Sequence, residues 1–161
     1  MEHQCQMMKS KSTIGKLLLG LLYTSITVAI LVAVMLVVPA GTSKSPKIIL
    51  GGKEISVEVA DTPALQELGL SGHKPLTQNE GMIFIFNESK QYGFWMKDML
   101  FPIDIIWFDE QYRIVDVWEN AEPQSYPTSF APRTPGRYVL EVSAGYFGKH
   151  QLRIGDKFEF R

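Results

Sequence analysis

The stretch Gly93–Asp109, GFWMKDMLFPIDIIWFD, is the densest apolar and aromatic run in the C-terminal three-quarters of the chain, and it sets three charged residues among side chains that belong in a core. Pro102 cannot donate a ladder hydrogen bond, so the run divides into two strands, Tyr92–Met99 and Ile103–Phe108, joined at Leu100–Pro102. On the first strand, Trp95, Lys97 and Met99 share one face and Phe94, Met96 and Asp98 the other. On the second, Asp104 lies with Ile106 and Phe108. An unpaired charge in a core costs several kcal/mol or changes its protonation state. Lys97, Asp98 and Asp104 must therefore find partners or face a wet cavity.

The flanking segments are short and β-like. Gly51-Gly52 sits between apolar runs as a two-residue hairpin turn, and Ile55, Val57 and Val59 alternate with polar residues as in a half-buried strand. Asp61-Thr62-Pro63 starts a short helix: Asp or Thr caps it, Pro is tolerated in its first turn, and Gly69 ends it, with Leu65 and Leu68 turned inward. Leu70–Gln78 is a loop. Gly81–Phe86 is apolar on both faces, as a central strand should be. Tyr112–Trp118, Arg137–Val142 and Phe158–Phe160 are further strands, Ser143–His150 is rich in turns, and Ile154-Gly155-Asp156 is a turn. Asn120–Gly136 carries four prolines and no periodicity, so it is either a functional loop or a rigid cover for a sheet edge. Seven or eight short strands, one short helix and no βαβ spacing predict a mostly β domain, α+β at the margin. Its form would be a small antiparallel sheet or barrel-like domain over residues 47–161.

Leu17–Val38 is 22 residues without a charge, long enough for a helix to cross a bilayer. Lys9, Lys11 and Lys16 precede it and place residues 1–16 in the cytoplasm. The expected organisation is a cytoplasmic tail (1–16), a single transmembrane signal-anchor (17–38), a linker (39–46) and a periplasmic or extracellular domain tethered to the cytoplasmic membrane. The alternative is a cleaved signal peptide, cut near Val38-Pro39-Ala40, and a secreted domain.

From Lys47 onward, 12 Lys and Arg stand against 16 Asp and Glu, a formal charge of −4 with no basic cluster; this argues against a nucleic-acid partner. The single cysteine, Cys5, precedes the apolar run, so the domain has no disulfide, thiol nucleophile or Cys-ligated metal. His73 and His150 have no ligand spacing with another His or Cys, and no carboxylate loop suited to calcium occurs. No cofactor or metal is expected.

Arg137, Val139 and Glu141 share a face of their strand, so Glu141 is another carboxylate that needs a partner or a cavity. The candidate pocket comprises Trp95, Lys97, Asp104, Arg137, Glu141 and His73, with the tryptophans Trp95 and Trp107 as walls; Lys97 and Asp104 are expected in or beside one cavity. Structural ion pairing and simple exposure are the plainer readings of each residue. Arg133 and Arg137 could hold an anionic group, or pair with Glu119 or Glu122. No nucleophile elbow or phosphate loop is present, and Ser71 beside His73 is weak evidence for a nucleophile pair.

The segments VEVADTPALQELGLSGHKPL, GMIFIF, FWMKDMLFPIDIIWFD and PGRYVLEVSAG resemble the signature blocks of the prokaryotic family called domain of unknown function 192, from about Ile55 to Phe160. Trp95, Met96, Lys97, Pro102, Asp104, Arg137, Tyr138 and Glu141 match its pattern. Ser71-Gly72-His73 stands where the family usually has Met-Gly-Arg, and Asp98-Met99 where it has Asn-Thr or Asn-Met. The resemblance implies a small β-rich, barrel-like domain, often behind a signal or anchor segment, and transfers no catalytic residue.

The function expected from these readings is a membrane-tethered binding or accessory module with a concave face near Trp95, Lys97, Asp104 and the Pro-rich loop. It would take a small polar molecule, a glycan or a protein. The rivals are a hydrolase-type enzyme using Asp104, Glu141 or His73 as acid/base, and a structural envelope protein.

Overall fold

A computed structural model describes residues 45–161. The expected tail, the span from Leu17 to Val38 and the linker up to residue 44 lie outside the described residues. Among the described residues no helix is long and apolar enough to cross a membrane.

Lys47–Leu50 (β1) and Lys53–Ala60 (β2) form the expected hairpin, with φ of 59° at Gly51 and 72° at Gly52. Two successive positive φ values define the turn whose twist matches that of the strands, and glycine adopts both without steric cost. Pro63–Leu68 (α1) follows; the Thr62 hydroxyl accepts from the Leu65 amide and Gly69 ends the helix. Next come Glu80–Lys90 (β3), Phe94–Trp95 (β4), Ile103–Phe108 (β5), Ile114–Ala121 (β6), Ser129–Phe130 (β7), Gly136–Ser143 (β8), Tyr146–Lys149 (α2) and Phe158–Phe160 (β9). Seven of these strands make one sheet in the order β6-β5-β8-β3-β2-β1-β9, antiparallel except for the β2–β3 pair. β4 and β7 form a separate two-stranded ribbon. β3 is the middle strand of the seven, as its two apolar faces predict.

The sheet curls into a half-barrel. Its edge strands β6 and β9 meet at one end through a bridge between Arg113 and Lys157 and through Ile114 N–H to the Asp156 carbonyl at 2.8 Å. One core fills the concave side: Ile48, Leu50, Ile55, Val57, Ile83, Ile106, Phe108, Leu140, Val142 and Phe158. A second lies on the convex side of β3, β5 and β8: Met82, Phe84, Ile103, Ile105, Trp107 and Val139, covered by Leu70, Met96, Met99, Phe101 and Phe130. All six residues of β5 are buried, since the sheet is covered on both faces there. Each large apolar side chain removed from water contributes about 1.5–3 kcal/mol, so the convex cover is a structural necessity. Gly81 permits the close approach of β3 to β8, because a Cβ there would stand 2.7 Å from the Glu141 carbonyl oxygen.

Four expectations are corrected. The strand expected over Tyr92–Met99 is two residues long. The chain turns at Met96–Met99, where the Met99 amide reaches the Met96 carbonyl and Asp98 has φ 55°; Met96 and Met99 point into the convex core while Lys97 and Asp98 are exposed. Asp tolerates this left-handed conformation better than most residues. The helix α1 does not bury Leu65 or Leu68, which are 43% and 53% exposed, because Gln66 faces the sheet. The turn-rich passage after Ser143 contains a second short helix, α2. Finally, β6 runs on to Ala121, and the Pro-rich segment beyond it contains a 3-10 turn, Pro123–Ser125, and the strand β7.

Candidate functional site

Asp104 has no exposed surface, and its register decides its role. It stands opposite Val142, on the concave side with Ile106 and Phe108. Its Oδ1 accepts the amides of Asn120 (2.9 Å) and Gly145 (3.0 Å), and its Oδ2 accepts that of Phe147 (2.9 Å). The carboxylate thus ties a bulge of β6, where Asn120 has φ 56°, to the first turn of α2. Three backbone donors satisfy it, so its burial needs no cavity.

Glu141 lies on the other side of the sheet. It stands opposite Met82 of β3 and Ile105 of β5, both in the convex core. Side chains of successive residues alternate faces, so Asp104 and Glu141 are separated by the thickness of the sheet. The expected acid/base pairing of these two carboxylates is not formed. Lys97 is exposed on the turn above the convex face, with its carbonyl accepting from the Ser71 hydroxyl at 2.8 Å, so it does not share a pocket with Asp104.

The remaining expected site residues divide. His73 has Nε2 3.4 Å from Glu58 Oε2 and does not line the cavity described below. Arg137 Nε donates to the Phe86 carbonyl at 3.2 Å, and its guanidinium lies 5.5 Å from the Tyr138 ring centre. Arg133 pairs with Asp116 rather than Glu119 or Glu122. Its amide and Nε both donate to Asp116 Oδ2, at 2.6 and 3.0 Å, and its Nη2 donates to Oδ1. Hydrogen bonds from Arg133 hold the Asp116 carboxyl well down, at about 2.

Trp95 and Glu141 do meet at one cavity, of about 200 Å³, between α1 with its following turn, the Tyr92–Trp95 segment and the outer face of the sheet. Phe84 and Phe86, alternate residues of β3, line one side. Tyr92 stacks on Phe86 with ring centres 3.6 Å apart, and Phe94 meets Phe84 edge to face at 4.8 Å. Trp95, 49% exposed, stands at the mouth against Tyr126. Gln66, Glu67 and Leu68 of α1 form the opposite rim. Gln66 fixes that rim, since its Nε2 donates to the Ile85 carbonyl at 2.9 Å, close to where β2 stops pairing with β3.

Glu141 lines the cavity where strand β8 contributes to it. Its Oε2 is buried and has no hydrogen-bond partner. Burial pushes its carboxyl up to about 8, so at neutral pH it carries its proton. Gly69, which ends α1 with φ 51°, leaves space near this carboxyl; a Cβ there would stand 4.0 Å from Oε2. The other buried unpartnered polar atom among the described residues is the Tyr146 hydroxyl, in the concave core, where burial raises its pKa to about 12. Among the described residues no cluster of His, Cys, Asp and Glu could hold a metal ion.

Reading the sequence missed the cavity's aromatic side, Phe84, Phe86, Tyr92 and Phe94, and its rim, Gln66–Leu68. The alternation of Phe84 and Phe86 with Ile83 and Ile85 was the available cue: it places two aromatics on the face that carries Glu141.

The family model of DUF192, described as uncharacterized ACR, matches residues 47–160. Two solved structures are similar to the chain at 30% identity. One is a "putative transcription regulator" from Sinorhizobium meliloti 1021, with a TM-score of 0.66, covering 71% of this chain and 91% of that one. The other is a protein of unknown function from Novosphingobium aromaticivorans DSM 12444, with a TM-score of 0.67, covering 74% of this chain and 89% of that one. No curated protein matches the chain.

Proposed function

The chain belongs to the DUF192 family, and from that premise we propose that its half-barrel domain is a binding module whose ligand enters the cavity between α1 and Trp95. One observation carries this reading: Glu141 lines the cavity with a buried carboxyl whose Oε2 has no partner. A buried polar atom left unsatisfied costs about 1–3 kcal/mol. A ligand that satisfies it recovers that cost, and the aromatic wall adds apolar contact area. At about 200 Å³ the space suits a small molecule or a single side chain; it is below the ~300–1,000 Å³ of drug-sized sites. An extended glycan could be held only by a terminal group.

The hydrolase reading is the weaker one. The acid/base set expected for it does not converge on one space: of Asp104, Glu141 and His73 only Glu141 lines the cavity, and Asp104 and His73 are engaged elsewhere. The tether belongs to the same proposal: residues 17–38, an uncharged apolar run, would hold the module at the outer surface of the cytoplasmic membrane.

The test is a small-molecule fragment screen of the full-length protein by NMR. Resonances of Glu141, Phe84 and Trp95 should move together with the hits. Hits that map to other faces, or no hits at millimolar concentration, would overturn the reading.

A further inference from the structure

We propose that the ligand group taken by this cavity is a small organic ammonium, whose N–H donates to the Glu141 carboxyl while its alkyl part lies against the aromatic wall; this rests on the binding reading above. Three features of the cavity converge on that chemistry. Its two carboxyl side chains are Glu67 at the rim and Glu141 within, and no Lys, Arg or His lines it. An anionic ligand would find no counter-charge there. The buried atom without a partner is a carboxyl oxygen, which becomes a full acceptor on ionisation. The wall opposite the rim is built from Phe84, Phe94 and Trp95, whose ring faces attract cations, most strongly where water is excluded.

Proton balance makes the idea measurable. The ammonium arrives with its charge, and Glu141 gives its proton to solvent as the ion pair forms. The other groups around Glu141 do not supply the charge. Tyr92 is a phenol, Glu67 repels the ionised form, and Arg137, on the same face of β8, is turned to the Phe86 carbonyl. Its strand neighbours Met82 and Ile105 are apolar. Burial holds the Glu141 carboxyl at about 8, so affinity should rise with pH, by up to about tenfold per unit below that value, and level off above it.

The experiment is isothermal titration of the full-length protein with n-butylammonium, its neutral analogue butan-1-ol and the anion butyrate, in buffers of different ionisation enthalpy. The expected result is binding of n-butylammonium at least about tenfold tighter than butan-1-ol, no butyrate binding, and release of about one proton per ammonium at pH 7. Glu141→Gln should lose the ammonium preference and the proton release but keep the weak butan-1-ol binding. Nα-acetyl-lysine N-methylamide replaces n-butylammonium in a further arm: binding as tight assigns the site to a lysine side chain of a partner, and weaker binding to a free amine. Equal affinity for the amine and the alcohol, unchanged by Glu141→Gln, overturns the ammonium assignment and leaves the binding module standing. No binding by any probe, with Glu141→Gln still folded by circular dichroism, overturns both.

Discussion

Asp104 and Glu141 share a chemistry and stand on adjacent strands, yet the domain uses them in opposite ways. Asp104 accepts three backbone amides, so its burial joins two elements and stabilises the fold. Glu141 has an oxygen with no partner, and desolvation raises its pKa from an ordinary 4.5 to about 8. The sign of its effect on stability follows directly. Between pH 4.5 and 8 the unfolded chain releases this proton and the folded chain keeps it, so the folded state binds more protons and stability falls as pH rises. Below 4.5 the group is neutral in both states and stability no longer depends on its titration; above 8 it is ionised in both and the loss is complete. The shift corresponds to a loss on the order of a few kcal/mol. Glu141→Gln should remove this slope, so that the variant is more stable than the wild type at pH 8 and nearly equal to it at pH 4.5. Urea denaturation at the two pH values measures the difference, and parallel profiles for the two proteins would refute the assignment. A core carboxyl retained at such a cost is expected where function requires it.

Among the elements, the Pro-rich passage after β6 has the most specific task. Asp116, 4% exposed, receives the Arg133 amide and guanidinium and also the Val117 amide, which straps residues 131–135 to β6. The passage carries β7, whose Phe130 is buried in the convex core and pairs with Phe94 in β4, and β4 is a wall of the cavity. The strap therefore reaches the cavity through two short strands. Asp116→Asn should cost about 1–3 kcal/mol and speed amide exchange at Ala131, Arg133 and Thr134 relative to the residues of β3 and β8. Exchange unchanged in that segment would show that the loop holds itself. In the wild type the strap is at full strength above the carboxyl's ordinary value of 3.8 and is lost as pH falls through about 2, because its folded pKa is depressed. This function of Arg133 was not legible in the sequence: Glu119 and Glu122 are nearer along the chain, and the partner lies 17 residues away across a curled sheet. Locally coded elements were legible. Gly51-Gly52, Thr62-Pro63 and the apolar run of β5 specify their structures through φ, capping and burial. The turn at Met96–Met99 was not, because it contains no Gly or Pro and its positive φ falls on Asp98.

At the scale of the whole domain, the short strands identified a mostly antiparallel sheet, but not the pairing that closes it, and the expected absence of a βαβ unit is corrected by the parallel pair β2–β3 around α1. β9 joins β1 at a separation of more than a hundred residues, with Ile48 opposite Phe160 and Leu50 opposite Phe158. No local pattern encodes such a partner, and neither does it encode the parallel β2–β3 pair, which the intervening α1 makes possible. The same long-range closure separated the candidate site residues. A strand's alternation says that Asp104 and Glu141 each share a face with certain neighbours; only the register between β5 and β8 says that the two faces are opposite. Closure also concentrates stability in the last few residues. Phe158 is fully enclosed among Phe108, Tyr112 and Tyr138, with ring centres 4.9–5.8 Å away, and β9 covers the open edge of β1. Ending the chain at Lys157 removes a core aromatic, worth about 3–5 kcal/mol, and exposes a strand edge as well. Against a typical total of about 5–15 kcal/mol, such a chain should lose cooperative unfolding and expose apolar surface that binds a hydrophobic dye. A chain beginning at residue 45 keeps every described strand and both described cores, so it should unfold cooperatively with a midpoint close to that of the full chain. If instead the chain ending at Lys157 melts like the wild type, the half-barrel is held by its β2–β3–β8–β5 centre alone and the terminal strand is an ornament of the fold.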